Sequence, residues 1–356
     1  MLTETMPVRS ITMNESDLHE LRRDGWSKSF KHAKLKIGDK FHTALIGIRG
    51  GHTRNYPKKS FEIRLDNGMT YHWNAEYDDP SMMRNALSFA FFNQIHVPAP
   101  ITNPIWLSIN GVQEGVYLEI EAVNDHFFRK RGIGYRSLIY AVHDNADFSL
   151  IDPDSKASKT SLFNGYELVI DKGDTKKRLV SFIRHLNGLS GKELSSFIAH
   201  RLDIKQYLLW LAGAVLTGNF DGFDQNYALY ERAASKRYRI IPWDYEGTWG
   251  RNCYGRVCGN NLVRLEGYNT LTEKLFTINS CRSSYAAIMK RLIAEEFTHE
   301  KLDPLIDRMH RRLTPAIRND YTRKASYDSF LAEPAFIRTY IDDRREMLRE
   351  ALLQWK

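Results

Sequence analysis

The hydrophobic residues of this sequence change their period once along the chain. Up to about residue 142 they alternate as in β-strands: residues 33–37 and 43–48 flank the turn Gly38-Asp39, and residues 60–65 repeat the pattern. From about residue 160 they recur at helical spacing, in residues 176–186, 204–216, 302–317 and 336–353. Two periods in successive parts of one chain predict an α+β fold.

Other elements refine this prediction. Residues 82–95 carry one apolar stripe at helical spacing, and Asn110-Gly111 predicts a hairpin between residues 105–109 and 115–120. A strand-rich pair, residues 227–230 and 238–241, interrupts the helical part. We therefore expect a small β-rich N-terminal lobe with one helix, residues 1–142, and a larger, mostly helical C-terminal lobe, residues 143–356.

Composition supports an ordered protein with an anionic partner. With 356 residues and 42% hydrophobic content, the chain can bury the core of one large domain or two joined lobes. The net charge is +8, and residues 1–60 hold twelve Lys and Arg against six Asp and Glu. Such a surface favours anionic partners but does not identify the anion.

The sequence gives no sign of export or membrane insertion. Three cysteines are too few for a disulfide framework and lack zinc-site spacing. The first seven residues do not read as a secretory signal, and the longest apolar run, residues 208–216, is too short to span a membrane. We expect no signal peptide and no transmembrane segment, so the protein should stay in the cell where it is made.

The densest polar cluster, residues 218–226, follows the apolar helix 204–216 directly. Asp221 and Asn226 lie in this loop, and Asp244 lies beyond the predicted hairpin. One carboxylate to orient a hydroxyl, with a carboxamide and a carboxylate for magnesium, is the layout of kinase-type phosphoryl transfer. From the loop alone, ordinary turn chemistry is favoured roughly two to one; the combination with Asp244 and an upstream basic strand favours catalysis.

That basic strand contains Lys58 and Lys59. Period-two alternation puts Lys59 on the same face as Phe61 and Ile63, the predicted interior, where a charge needs a partner such as a nucleotide phosphate. Lys58 is expected on the solvated face, with even odds that it still reaches phosphate. Arg49, followed by two glycines, is a further candidate anion contact; the alternative for the whole cluster is a solvated basic surface.

Taken in order, several motifs resemble the spore coat protein H (CotH) kinase family over roughly residues 30–350. The matching pieces are Ile48-Arg49-Gly50-Gly51, Tyr56-Pro57-Lys58-Lys59-Ser60-Phe61, Ile109-Asn110-Gly111, Gly115-Val116-Tyr117, Glu121-Ala122-Val123-Asn124, Leu138-Ile139-Tyr140, Gly218-Asn219-Phe220-Asp221-Gly222, Asn226 to Tyr230 and Pro242-Trp243-Asp244-Tyr245. The resemblance implies an atypical protein kinase-like two-lobed fold. It also implies transfer of the γ-phosphate of ATP, with Mg²⁺ or Mn²⁺, to serine and threonine of spore coat proteins and of the enzyme itself, for coat assembly.

The resemblance assigns roles by motif. Asp221 matches the catalytic aspartate, Asn226 and Asp244 match metal ligands, and Glu246 could add a carboxylate to the metal site. Lys59, with Lys58 as second choice, matches the phosphate-contacting lysine. Three further candidate nucleotide contacts follow from position: Glu121 where a kinase hinge meets adenine, and Tyr140 and Trp243 as stacking partners for the base. Core packing is an equal alternative for Trp243.

Departures from ordinary protein kinases are substantial. Phe220 precedes the catalytic aspartate where arginine is usual, Tyr245-Glu246 follows Asp244 in place of Phe-Gly, and the helix 82–95 contains no glutamate to pair with the lysine.

Two competing hypotheses are a non-catalytic coat assembly scaffold and a small-molecule phosphotransferase. The expected protein partners are spore coat proteins with Ser-rich basic segments. We expect neither nucleic acid nor a membrane as a partner, and the sequence predicts no particular oligomeric state. The expected location is the mother-cell cytoplasm and then the spore coat.

Overall fold

The computed structural model describes residues 6–355, so the prediction about a secretory signal rests partly on residues 1–5, outside the described part. The chain forms two compact units, each described by itself. Unit 1 contains the residues up to Ala86, Pro100–Phe127 and Pro304–Ala335; unit 2 contains Leu87–Ala99, Phe128–Asp303 and the residues from Phe336. Unlike the predicted lobes 1–142 and 143–356, neither unit is one continuous stretch of sequence.

Unit 1 is built on a closed barrel of seven strands in the order β1-β2-β3-β4-β5-β7-β6. The strands are β1 Val8–Met13, β2 Lys31–Ile37, β3 Lys40–Arg49, β4 Ser60–Leu65, β5 Thr70–Asn74, β6 Thr102–Ile109 and β7 Val112–Glu121. All neighbours are antiparallel except β1 and β6, whose parallel pairing closes the barrel. Alternate residues such as Phe61, Ile63 and Leu65 fill its interior, as their spacing predicts.

Local sequence explains the turns and caps of this unit. Asn110 and Gly111 both have positive φ, 48° and 80°, and so make the tight turn between β6 and β7 that an Asn-Gly pair favours. Helix α1, Glu15–Arg23, starts at Asn14, whose side chain accepts a hydrogen bond from the Ser16 amide. Lys31 pairs with Glu20 and Asp17, so this lysine of the basic segment has carboxylate partners within the chain.

Unit 2 combines a four-stranded sheet with helices. The sheet order is β11-β10-β8-β9, made of β8 Tyr135–Ala141, β9 Tyr166–Asp171, β10 Tyr227–Arg232 and β11 Tyr238–Pro242. Among residues 6–355, five helices lie wholly in this unit: α4 Thr175–Gly188, α5 Gly191–Arg201, α6 Ile204–Thr217, α7 Thr270–Phe276 and α8 Asn279–Glu295. Helix α6 is its apolar centre, with twelve buried residues.

Four of the described helices contribute residues to both units: α2 Arg84–Gln94, α3 Asp125–Lys130, α9 His299–Ile317 and α10 Tyr327–Leu353. The segment 304–335 groups with the barrel because it supplies buried carboxylates to it. Arg84, fully buried, lies 2.6 Å from Asp79 and 2.6 Å from Glu333, and Lys58 lies 3.3 Å from Asp320. Sequence periodicity carries no information about such pairs between distant positions.

The α+β class and the strand-rich beginning with a helical continuation are confirmed. The expectation of one helix before residue 142 is wrong, because α1 and α3 also form there. The two strands predicted at residues 227–230 and 238–241 are part of a larger sheet, in which β10 pairs with β8 as well as with β11. Within residues 6–355 no helix is both long and apolar enough to cross a membrane. Cys253, Cys258 and Cys281 are free thiols.

Candidate functional site

The predicted site residues fall into two groups, one in each unit. The acidic group belongs to unit 2 and starts where α6 ends. Gly218 terminates this helix with a left-handed backbone (φ 72°), a conformation that favours glycine. Asp221 follows in a single 3-10 turn, Phe220–Gly222, and is partly buried. The predicted catalytic carboxylate therefore follows directly after a buried, mostly apolar helix.

The hairpin β10–β11 brings Asn226 and Asp244 to the same end of the sheet. Tyr227 pairs with Pro242, and the Trp243 amide donates a hydrogen bond to the Asn226 carbonyl at 3.1 Å. Asn226 and Asp244 both have left-handed backbones, with φ of 58° and 55°. Such conformations cost free energy in residues other than glycine and concentrate at functional sites. The backbone thus brings the two residues that the sequence predicted as metal ligands to the same end of the hairpin.

A perturbed pKa indicates that acidic side chains cluster around Asp221. Burial and, to a smaller extent, the charges of Asp221, Asp144 and Asp147 raise the pKa of Asp224 to about 7. Clustered carboxylates repel one another and favour binding of cations. Sequence reasoning placed neither Asp144 nor Asp147 in this cluster, because Asp144 follows β8 and Asp147 lies three residues further on, far from the motif that contains Asp221.

Cys253 is a contact that sequence reasoning missed. Burial, together with the negative charges of Asp221, Glu246 and Asp244 and a hydrogen bond to the Asp221 side chain, raises the pKa of its thiol to about 12. Gly247 lets the chain pass close to Cys253, since a Cβ there would lie 2.6 Å from the Cys253 amide nitrogen. Three of the predicted acidic residues therefore act electrostatically on this one sulfur.

The donor set fits a hard cation. Asp244, Glu246 and Asn226 would supply oxygens, and magnesium commonly takes one or two carboxylates and completes its shell with water and substrate phosphate oxygens. Within the described part of the chain, no group of three or more His, Cys, Asp or Glu side chains is arranged to hold a metal by itself. A metal at this position would therefore depend on the carboxamide, water and phosphate for its remaining ligands.

The two aromatic candidates lie against each other. The rings of Tyr140 and Trp243 stack with centroids 5.6 Å apart and an interplanar angle of 17°, and Phe89 lies 6.4 Å from the indole. Tyr140 and Trp243 are both partly exposed. The structure therefore joins them as a pair next to Asp244, with core contacts on the Phe89 side of the indole.

In unit 1, the two lysines exchange the environments that the sequence predicted. Lys58 is only 5% exposed and donates hydrogen bonds to the Val116 carbonyl (2.8 Å) and to Asp320 (3.3 Å), whereas Lys59 is partly exposed and donates to the Arg54 carbonyl at 2.6 Å. The expectation of a solvated Lys58 is wrong. The reason is that β4 begins only at Ser60, so its alternation does not extend back to the lysines.

Burial lowers the pKa of Lys58 to about 8, although Asp320 opposes this shift. For Asp320, burial acts to raise the pKa, but Lys58, the Thr322 hydroxyl and amide and the Val116 amide together hold it below its usual value. Gly115 makes this arrangement possible: its φ is +84°, and a Cβ would lie 2.2 Å from an Asp320 oxygen. Lys58 and Gly115 thus belong to an anchor that holds Asp320 against the barrel.

The last two candidates lie at strand ends of the barrel. Arg49, the last residue of β3, donates a hydrogen bond to the buried Asn74 side chain. Glu121, the last residue of β7, exchanges hydrogen bonds with Ile101: its carboxylate accepts from the Ile101 amide (3.1 Å) and its own amide donates to the Ile101 carbonyl (2.9 Å). The Glu121 main-chain donor is therefore already used within the barrel, and its adenine role stays a prediction.

A family model and two curated relatives agree on one protein family. The family described as "CotH kinase protein" matches residues 46–348. The chain is 35% identical to inner spore coat protein H of Bacillus subtilis over 98% of both chains. It is 30% identical to an inner spore coat protein H-like protein of the same organism, over 83% of this chain and 86% of the relative.

Two solved structures are also similar. The Helicobacter pylori proinflammatory kinase CtkA gives a TM-score of 0.34 at 12% identity, over 83% of this chain and 94% of CtkA. A Shewanella oneidensis complex of HipA, HipB and operator DNA gives 0.41 at 10% identity, over 98% of this chain and 75% of the matched chain. Both TM-scores lie below 0.5, and no inference rests on these two structures.

Proposed function

The chain belongs to the CotH kinase protein family, and we propose that it is an atypical, two-lobed protein serine/threonine kinase that transfers the γ-phosphate of ATP to spore coat proteins and to itself. The observation that carries this proposal is the alignment of Asn226 and Asp244 at one end of a hairpin. Asp221, whose charge acts on the Cys253 thiol together with that of Asp244, supports it. Three oxygen-bearing side chains with separate tasks are what phosphoryl transfer requires.

In the proposed reaction, the Asp221 carboxylate accepts the proton of a serine or threonine hydroxyl and orients its oxygen. That oxygen forms a bond to the γ-phosphorus as the bond between this phosphorus and the bridging oxygen of ADP breaks. Asn226, Asp244 and Glu246 would hold Mg²⁺, or Mn²⁺ in its place. When bound there, such a cation would neutralise charge that develops on the phosphate oxygens.

The proposed nucleotide contacts are the candidates that the sequence predicts. Lys59 is the proposed phosphate lysine, because Lys58 is buried and engaged with Asp320. Arg49 is a second phosphate contact. Tyr140 and Trp243 are proposed to hold adenine by stacking, with Glu121 at the position of a kinase hinge.

The proposed protein substrates are spore coat proteins with Ser-rich basic segments. The relative that is 35% identical is an inner spore coat protein, which supports a final location in the coat; the proposed earlier location is the mother-cell cytoplasm. The acidic cluster of Asp144, Asp147, Asp221 and Asp224 supports the preference for basic segments, since lysine or arginine beside the acceptor would relieve the repulsion among these carboxylates.

The test measures transfer of label from γ-labelled ATP to a Ser-rich basic coat protein, with Mg²⁺, Mn²⁺ or a chelator present. Wild type should label the substrate and itself when a divalent cation is present, and Asp221→Asn and Asp244→Asn should each reduce labelling at least 100-fold, as expected when a catalytic base or a metal ligand is lost. Asp154→Asn is the matched control, because Asp154 is an exposed acid of unit 2.

Three results contradict the proposal. Absence of transfer by wild type, or full transfer by both variants, removes the kinase assignment. Label that reaches only a small hydroxyl compound indicates a small-molecule phosphotransferase. Normal coats assembled in cells carrying Asp221→Asn and Asp244→Asn would indicate the scaffold alternative.

A further inference from the structure

Helix α6 has to satisfy four main-chain carbonyls at its C-terminal end, because no further turn of helix follows. These carbonyls belong to Ala214, Val215, Leu216 and Thr217, all of them in buried residues. A buried carbonyl without a hydrogen-bond donor costs free energy, so the partners of these four groups decide how firmly the end of the helix is held.

Each of the four carbonyls has a partner. Those of Ala214 and Val215 accept from the amides that follow the helix, of Gly218 and Asn219, and that of Thr217 accepts from the Trp249 amide at 2.8 Å. The Leu216 carbonyl accepts from the Tyr340 hydroxyl at 3.1 Å. Thus one of the helix-end partners is a side chain of α10, more than a hundred residues away.

The second side-chain partner is Arg344, which lies one helical turn after Tyr340. Its Nε and one Nη donate to the Val215 carbonyl at 3.0 and 2.6 Å. The same guanidinium donates to the carbonyls of Val263 (2.6 Å) and Asn260 (2.5 Å). Arg344 therefore joins the end of α6 to the segment 260–263, which follows Asp244 in the chain.

This guanidinium is unusual because it is fully buried yet has no carboxylate partner among residues 6–355. Burial lowers the pKa of Arg344, and three nearby tyrosines, Tyr340, Tyr285 and Tyr268, act to raise it. A buried charge normally requires an opposite charge. Here the compensation comes from carbonyl oxygens, including one at the negative end of the α6 dipole.

Gly218 connects this arrangement to the candidate site. A Cβ on Gly218 would lie 2.3 Å from the Tyr340 hydroxyl oxygen, and the residue has a positive φ of 72°. The Tyr340 hydroxyl therefore packs directly on the residue that turns the chain from α6 towards Asp221, three positions further on.

We propose that Tyr340 and Arg344 form a carbonyl clamp that positions Asp221 relative to Asp244. The clamp holds the end of α6, from which the chain continues through Gly218 to Asp221, and the segment 260–263, which lies in the loop between Asp244 and α7. Tyr340 and Arg344 are positioning residues, since neither is proposed to touch ATP or the acceptor. The catalytic part of this inference rests on the proposed function; the structural part, a locally held helix end, does not.

The experiment uses the full chain and three variants. Tyr340→Phe removes one hydroxyl and keeps the ring. Arg344→Lys keeps the charge but loses the planar fork that reaches three carbonyls. Arg349→Met is the matched control, because Arg349 is an exposed arginine on the same helix.

Hydrogen exchange is the first readout. In Tyr340→Phe and Arg344→Lys, amides near the end of α6, such as Gly218 and Asn219, should exchange at least tenfold faster, while amides of the unit 1 barrel and all amides of Arg349→Met keep wild-type rates. Unchanged exchange at the helix end overturns the clamp. An equal increase throughout the protein also overturns it, because the two residues would then support only general stability.

Kinetics are the second readout. Phosphoryl transfer by Tyr340→Phe should show a kcat at least tenfold lower, with KM for ATP within twofold of wild type, since the contacts assigned to ATP are untouched. A normal kcat together with faster exchange at the helix end overturns the positioning role. If wild type transfers no phosphate but the exchange result holds, the clamp on α6 stands and the proposed function fails. Tyr340→Phe, which loses only one oxygen, carries both readouts if Arg344→Lys does not fold.

Discussion

Gly115→Ala should destabilise unit 1 far more than Gly111→Ala, although both glycines belong to the same hairpin region. Their φ values are nearly equal, +84° and +80°. A Cβ at position 115 would lie 2.2 Å from an Asp320 oxygen, whereas a Cβ at position 111 meets no atom within 4 Å. The backbone cost of alanine, about 1–2 kcal/mol at a left-handed position, is therefore common to both variants.

The additional cost at position 115 comes from Asp320. Its carboxylate must move by more than 1 Å to reach ordinary contact distance, and it then loses hydrogen bonds to Lys58, the Val116 amide and Thr322. Disrupting a buried ion pair costs about 3–5 kcal/mol. The free energy of unfolding should thus fall by about 4–7 kcal/mol for Gly115→Ala and by about 1–2 kcal/mol for Gly111→Ala.

Urea unfolding followed by circular dichroism measures both values. A second Gly115→Ala protein, made in an Asp320→Ser background, should lose only about as much stability as Gly111→Ala, because serine leaves room for the methyl group. Equal losses for Gly115→Ala and Gly111→Ala, within about 1 kcal/mol, would refute the anchor role of Asp320.

Three further predictions concern other side chains. Lys59→Met should lower kcat/KM for ATP at least tenfold without changing the melting temperature; a wild-type kcat/KM would remove Lys59 from the phosphate site. Cys253→Ala should lower kcat several-fold because the predicted catalytic carboxylate loses a donor, whereas Cys253→Ser should stay near wild type; equal rates for both would contradict this. His299 has a raised pKa because Asp303 and Asp342 accept its hydrogen bonds, so its stabilisation is complete below the unfolded pKa near 6.5 and is lost as pH rises through the folded value. His299→Gln should therefore remove a stability difference of under about 1 kcal/mol between pH 5.5 and 8.5, measured by urea unfolding at both pH values.

The sequence was informative wherever the signal is local. Alternation predicted β2, β3 and β4, the Asn110-Gly111 pair predicted the β6–β7 hairpin, and helical spacing predicted α6 within one residue. Short elements with weak patterns were missed, among them β1 and β5, whose residues become interior only through their neighbours in the closed barrel. The predicted burial of Lys58 and Lys59 was also wrong, because the alternation of β4 starts only after these two residues.

The residues of the candidate site also divide into those that local sequence identifies and those that it does not. Asp221, Asn226 and Asp244 could be selected from the sequence because a loop after an apolar helix and the two ends of a hairpin are local features. The partners of these residues are not local: Cys253 contacts Asp221, and Tyr340 and Arg344 hold the helix before it.

By itself, then, the sequence determined the α+β class, the family and the residues proposed for chemistry, since periodicity and ordered motifs are properties of neighbouring residues. Only the tertiary structure decided which lysine is buried, why residue 115 is glycine and how the end of α6 is held. Lys58 and Asp320 are 262 positions apart, and Val215 and Arg344 are 129 apart. Such pairs form because folding buries polar groups that then need a partner, and the partner is whichever residue the fold brings within hydrogen-bond distance.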